Sequence, residues 1–386
     1  MKQSVVKKSV SLSLVLCLIA LSGCMPGRKR GAEALTQGSE DLKKFDNSLS
    51  FNNVVLEQAN DDGKLLWKIK AQKASYSKDQ KNAAVEKPEG ELYQDGKVIF
   101  KLVADKAEVI QDGKSVQVKG QITATDLRDG TILKGNEIEW KPAEDVLFVR
   151  NKFTGQRQQM TIAGDEGKFL SRKREAEVKG KVVTAEAKDQ NLKVQGSELK
   201  WFLEKQLITA DKPLTVDRAP KDKPVDRASA DKGSVDMKAK IATLSQNAKL
   251  NAPAQNLNVT GSQLIWDMNK QEINSPLALT LITPQINLTA DKGRLDLQQK
   301  QAYLNGKVRG TAQNQAAIGA DAATWNLTTQ AFTADGNITY SQPSPPANLV
   351  GTKAFGTLQD QQVTITGGPE GDNRVVTEIV LPPPKQ

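Results

Sequence analysis

The sequence predicts an all-β chain built as an elongated folded-over sheet, or solenoid-like stack, of about 60-residue units, and three observations carry that prediction. An Ala/Gly-Asp-Lys/Glu landmark recurs at Asp105, Asp165, Asp231 and Asp291, and an apolar-x-Trp step follows each at Trp140, Trp201, Trp266 and Trp325. The Asp-to-Trp spacing stays within 34–36 residues, and the intervals from each Trp to the next Asp are 25, 30 and 25 residues. A period of this size belongs to units that cannot bury a core alone and must stack. Around each tryptophan the apolar residues alternate, as in Ile138 and Trp140; Leu199, Trp201 and Leu203; Leu264, Trp266 and Met268. Period two means strand. The mature chain shows no convincing 3.6-residue period apart from a short polar run over 33–45.

Each element then reads in order. Leu65, Trp67, Ile69 and Ala71 form an earlier, longer-spaced copy of the tryptophan strand. A further strand per unit is marked by Val116, Val118, Gly120 and Ile122, matched by Ala176, Val178, Gly180 and Val182 and by Ala302, Leu304, Gly306 and Val308; in the third unit Gln246 replaces the glycine. In the Asp landmark, Asp-Lys-Gly reads as a tight turn, with Asp bonding its own backbone and Gly supplying a positive φ. The segment from Lys212 to Asp231, rich in Pro, Asp and Lys, reads as a lengthened solvent loop and not as strand. Pro343-Ser344-Pro345-Pro346 reads as a linker before a partial copy from Leu349 to Leu381, and Pro382-Pro383-Pro384 as an unstructured tail. On the order of thirty strands in about sixteen layers, at ~4.8 Å per layer, make a body roughly 75 Å long. One apolar face and one face of Lys, Gln, Asn, Thr and Glu per strand suit a sheet dry inside and wet outside.

The N-terminus carries Lys2, Lys7 and Lys8, an apolar run from Val10 to Leu21, and then Leu21-Ser22-Gly23-Cys24. That run is shorter than the ~20 residues a permanent span needs. It reads as a lipoprotein signal over 1–23, with Cys24 as the lipidation site and 24–48 as a lipidated tether. Cleavage removes Cys17, so no disulfide can form within the chain. Arg28, Lys29 and Arg30 gain about 1 kcal/mol each beside an anionic leaflet, which presses the tether onto the membrane. The net charge is +9, and removing Lys2, Lys7 and Lys8 with the signal leaves +6; that excess, spread along the repeats without aromatic-basic clusters, points to an anionic amphiphile or envelope partner more than to nucleic acid.

The chain has no histidine, which removes Ser-His-Asp and Cys-His catalysis and His-ligated zinc. With Cys24 lipidated, thiol chemistry goes too. No Gly-rich loop opens a helix, so nucleotide binding has no support. The four recurrent aspartates would lie about 20 Å apart at four layers per unit, too far for an acid and a base to share one bond. No catalytic residue, metal or cofactor is expected. The alternative to a binding role is a structural envelope lipoprotein, scaffold or adhesin, whose β-solenoid core is filled by its own side chains; against it, many inward positions are Ala, Gly, Val or Thr, which leaves room.

Four motifs in order carry a family resemblance: Trp67-Lys68-Ile69-Lys70-Ala71-Gln72-Lys73-Ala74; Glu91-Leu92-Tyr93-Gln94-Asp95-Gly96; Leu102-Val103-Ala104-Asp105-Lys106-Ala107; and Val116-Gln117-Val118-Lys119-Gly120. This order resembles the LptC family of lipopolysaccharide-transport proteins over about 50–150, and the later repeats are similar to the OstA-like unit that LptA and the LptD N-terminal domain share. The boundaries that follow are an LptC-like β domain over 49–150, OstA-like repeats continuing the same stack over 151–342, and a Pro-rich linker, partial repeat and tail over 343–386. The resemblance implies a folded-over β-jelly roll, or β-taco, whose apolar groove carries the acyl chains of lipopolysaccharide. It implies receipt of lipid from an inner-membrane ABC transporter and handover to an LptA-like bridge or LptD-like N-terminal domain by edge-strand pairing. The chain departs from the family pattern in being about twice the usual length and in having a lipid anchor where one transmembrane helix is usual. The periplasm is the expected location, with the anchor in the inner membrane and the outer membrane as the alternative. The groove candidates are Leu65, Trp67, Ile69, Ile138, Trp140, Leu199, Trp201, Leu264, Trp266 and Trp325.

Overall fold

The computed structural model describes residues 50–77, 82–111, 115–357, 362–367 and 376–378. The signal peptide, Cys24, the basic triplet, the tether and the proline tail lie outside the described residues. Thirty strands follow one another in antiparallel pairs along the chain. Many are halves of one longer layer: Met160–Gly164 and Glu166–Leu170 both pair with the single strand Glu175–Ala187, the first with its C-terminal half and the second with its N-terminal half. The chain thus runs up one wall, bends at a corner and continues down the other. Counted as bent layers the stack has about twenty, or ~95 Å at the usual spacing, longer than the expected sixteen because many layers are one continuous strand and not two half-strands. The all-β, folded-over architecture agrees with the sequence.

The corner explains the aspartate landmark, and it is not the tight turn expected. The strands on either side of Asp165 belong to the same layer, and the Asp165 N–H donates to the Lys179 carbonyl of the neighbouring layer at 2.9 Å. Its carboxylate accepts from the Lys181 N–H at 2.8 Å. Asp231 N–H bonds the Gln246 carbonyl and Asp291 N–H the Gly306 carbonyl in the same way. Each partner sits at a bulge where the register shifts, between Lys179 and Val183, Ser245 and Ala248, or Asn305 and Val308. The positive φ lies there: Gly306 at 78°, and Gln246 and Asn247 at 64° and 52°. An extra residue in a bulge reverses the side-chain alternation. Val182 is therefore 56% exposed and Val183 is the buried one. The glycine that follows the landmark serves packing: a Cβ on Gly167 would lie 2.4 Å from Phe153 Cδ2 on the facing wall.

Two segments differ from the sequence reading. Leu214–Arg218 and Asp226–Ala230 form a paired hairpin inside the supposed loop, because Leu214, Val216, Ala228 and Ala230 keep a buried alternation that outweighs the loop-like composition around them. Pro343 pairs with Pro346 across a hairpin turn within the sheet, where a linker was expected; the turn prolines sit at the strand ends, which lose no ladder donor that matters.

Candidate functional site

Following the registers across one wall gives the physical content of the repeat. Val116, Trp140, Leu147, Phe169, Ala176, Trp201, Ile208, Val235, Ala242, Trp266, Ile273, Leu295, Ala302, Trp325 and Phe332 form one uninterrupted inward row. Every fourth layer supplies a tryptophan, seated between a small or β-branched residue on one neighbour and a larger apolar one on the other. A second row beside it contains Ile138, Leu199 and Leu264. Both rows are buried, and Trp140, Leu199, Trp201, Leu264 and Trp266 are at most 1% exposed. The side chains thus alternate inward and outward, with Lys200 beside Leu199 reaching solvent.

Trp67 stands apart from the other four. Its strand half pairs with Glu89–Gln94, which pairs with Lys97–Ala104 and so joins the opposite wall. It is a facing residue and not a displaced copy, which accounts for its longer spacing. Its indole N–H donates to Gln58 Oε1 at 3.0 Å, whereas the Nε1 atoms of Trp140, Trp201 and Trp266 are buried without a protein partner. Ile69 lies on the same wall as Trp67 and is buried, while Leu65 at the strand start is only half-buried.

The small inward residues do not leave an open channel; they seat the large ones. Gly155 on one wall faces Trp201 on the other, where a Cβ would stand 3.2 Å from Trp201 Cζ3. Phe100 meets Trp140 and Phe169 across the interior at centroid distances of 6.4 and 5.6 Å, both edge to face, an arrangement the ring quadrupoles favour. Toward the C-terminal end smaller side chains line the interior. A cavity of about 30 Å³ there is lined by Leu288, Ala320, Ala323, Trp325, Phe332 and Tyr340 among others, in surroundings rich in alanine. That volume is one water's share of the liquid, far less than an acyl chain fills.

The two ends of the stack are open among the described residues. Ser50–Ala59 pairs only with Leu65–Tyr76, and Gln362–Thr366 pairs only with Pro346–Thr357. Unpaired edges of this kind are templates for another strand. No helix of the described residues is long and apolar enough to cross a membrane.

The site that sequence reasoning missed lies across the mouth of the fold, where turns from the two walls meet. Asp126, with a fully buried side chain, holds Arg128 Nη2 at 2.7 Å and pairs with Arg174. Asp129 holds Arg157 Nε at 2.5 Å and also pairs with Arg174. Arg128, Asp126, Asp129 and Arg157 belong to turns of one wall, and Arg174 comes from the turn between Glu166–Leu170 and Glu175–Ala187 of the other. Burial raises the pKa of Asp129, yet hydrogen bonds from Thr131, Arg174 and Arg157 outweigh it and hold the carboxyl well below the usual range. Nothing in these turns, read singly, marks it.

The comparisons with known proteins agree with this architecture. No curated protein matches the chain. A sequence model of the family described as lipopolysaccharide-assembly, LptC-related, matches residues 14–185, 218–313 and 283–371, and its recurrence along the chain mirrors the repeated layers. With the matches spanning most of its length, the chain belongs to the LptC-related family of lipopolysaccharide-assembly proteins.

Proposed function

We propose that the protein carries lipopolysaccharide across the periplasm without catalysis, holding the acyl chains between its two walls. In this reading Cys24 is lipidated and anchors the chain, most directly at the inner membrane. Lipid arrives from an inner-membrane ABC transporter at one end and leaves at the other to an LptA-like bridge or an LptD-like N-terminal domain added edge to edge. The observation that carries the reading is the unbroken inward row running from Val116 to Phe332 through most of the stack. Family membership supplies the lipid class.

The physics sets one condition. The interior is closed by its own side chains, so lipid enters only as the walls part and its acyl surface replaces wall-to-wall contacts. Burial at ~25 cal/mol per Å² applies to either partner, so exchange of one apolar surface for another is close to balanced and leaves the carriage reversible. The C-terminal end, where alanine lines much of the interior and the fewest large side chains must separate, is the place where parting costs least.

A scaffold whose core is filled by itself is the second reading, and the full burial of Trp140, Trp201 and Trp266 favours it. Lipopolysaccharide titration of Ala320→Asp distinguishes the two. Ala320 is 8% exposed and lines the cavity; a carboxylate there disfavours acyl chains. Affinity at least tenfold weaker than the parent's, with an unchanged circular dichroism spectrum, is expected. Binding by neither protein, or equal binding by both, contradicts the groove reading.

A further inference from the structure

The charged cluster at the mouth has a geometry that a stabilising surface network does not need, because its bonds tie together the two rims of the fold. Arg128 Nη1 and Nη2 donate across the mouth to the Ser171 carbonyl at 3.1 Å and Ser171 Oγ at 3.0 Å. Arg157 Nη1 crosses to the Leu203 carbonyl at 2.9 Å. Arg172 bridges Asp145 on its own rim, at 2.7 Å, and Asp95 on the opposite rim, at 2.9 Å. Arg174 crosses to Asp126 and Asp129. The guanidinium groups of Arg128 and Arg174 lie 5.8 Å from the Phe100 and Phe169 ring centroids, so the cluster caps the aromatic contact that joins the walls beneath it.

Two further observations give this cluster a role in opening. Beside it the walls part slightly: a cavity of about 110 Å³ is lined by Arg157 and Gln190 from one rim and by Trp201 and Gln206 from the other, and Trp201 Nε1 and Gln190 Oε1 both lack a protein partner. Among the described residues the cross-mouth bonds are also confined to the first half of the stack. Among the described residues beyond 230, the ion pairs Lys270–Asp267, Arg294–Glu272, Lys307–Asp291 and Lys353–Asp335 join groups within one wall, at one turn or along the corner. The alanine-lined end lies in that second half.

We propose that Arg157 and Arg174, with Asp126 and Asp129, form a latch that holds the mouth shut over the first half of the stack, while the second half opens without one. Resting on the carriage reading, acyl chains pass between the walls of the first half only while the latch is broken. The walls below it are apolar and can part as units, whereas the latch is a set of short directional bonds that is either made or lost. Thr131, Arg157 and Arg174 face Asp129, with Arg128 and Asp126 adjoining. Because its folded pKa is lowered, its contribution is full above the unfolded value of about 3.9 and is lost only as pH falls through the folded value. Neutral pH therefore keeps Asp129 charged, and a partner or lipid, not a proton at this carboxylate, must release the latch.

Fluorine NMR of the full chain, with 5-fluorotryptophan at all five positions, reads each ring's exposure through its shift between H2O and D2O. In Asp129→Asn, and independently in Arg157→Gln, the Trp140 and Trp201 resonances are expected to gain at least twofold in that shift, with Trp266 and Trp325 unchanged. No change at any ring, or an equal gain at all of them, overturns the latch. A photocrosslinker at Leu199 in the same variants then separates the two readings. Several-fold more lipopolysaccharide adduct than in the parent supports both; unchanged adduct yield despite an opened mouth removes the latch from lipid entry; and no adduct in any variant, with the rings exposed, overturns carriage and leaves the latch standing.

Discussion

Trp201→Ala is expected to destabilise its part of the stack by about 3–5 kcal/mol, the usual cost of removing a buried tryptophan. The ring is 1% exposed, flanked in its row by Ala176 and Ile208 and in contact with Gly155 across the interior. None of these neighbours can fill the hole: alanine and glycine have no reach, and Ile208 is held by its own strand. Trp325→Ala should cost less, because Phe332, stacked on that ring at 6.1 Å, is large enough to move into part of the space left behind. Stacked units interact with their neighbours only, so the loss should appear as an early transition in urea unfolding followed by hydrogen exchange, local to the units around 140–210. A uniform loss of protection along the whole chain would contradict a stack of semi-independent layers.

The second large effect concerns the latch. Asp126→Ala should cost about 3–5 kcal/mol, since removing one partner of a buried ion pair strands the other's charge. Arg174, whose side chain is 10% exposed, would keep only Asp129. The sign of the double variant is the informative part. Asp126→Ala with Arg174→Met replaces charge by apolar contact over Phe100 and Phe169, and such replacements are often neutral or stabilising. The double variant is therefore expected to be more stable than Asp126→Ala alone, measured by the urea midpoint. If it is less stable, the arginine stabilises the fold through something other than this pair.

How much of this was legible depends on the range of the interaction. The strands, the four-layer period and the inward set follow from alternation and spacing, which are local and repeated. Leu199, Trp201, Leu264 and Trp266 were named from those alone and all face inward. The aspartate landmark was found but misassigned, because residues that suit a tight turn also suit a corner opposite a bulge; the difference lies in the partner layer, some fifteen residues away. Trp67 was placed in the wrong series for the same reason, since alternation cannot tell one wall from the other. The hairpin of Leu214–Arg218 with Asp226–Ala230 was hidden by a Pro- and Lys-rich tip.

The latch was not legible at all. Arg172 and Asp95 are 77 residues apart in the chain, and nothing about either turn alone marks it as a partner of the other. Nor could composition tell an open groove from a closed one. Small inward residues permit both, and the choice depends on which large side chain each one faces, as Gly155 faces Trp201.

The central claim is that the inward row holds lipid, and site-specific photocrosslinking in whole cells tests it most directly, with the probe replacing Leu199 or its neighbour Lys200. Leu199 is fully buried between the walls, and the Lys200 side chain is 39% exposed on the outer face. A lipopolysaccharide adduct at 199 and none at 200 is the predicted result. Absence of adduct at both positions, in a chain that is folded and exported, would contradict the account and leave a scaffold with a core of its own side chains.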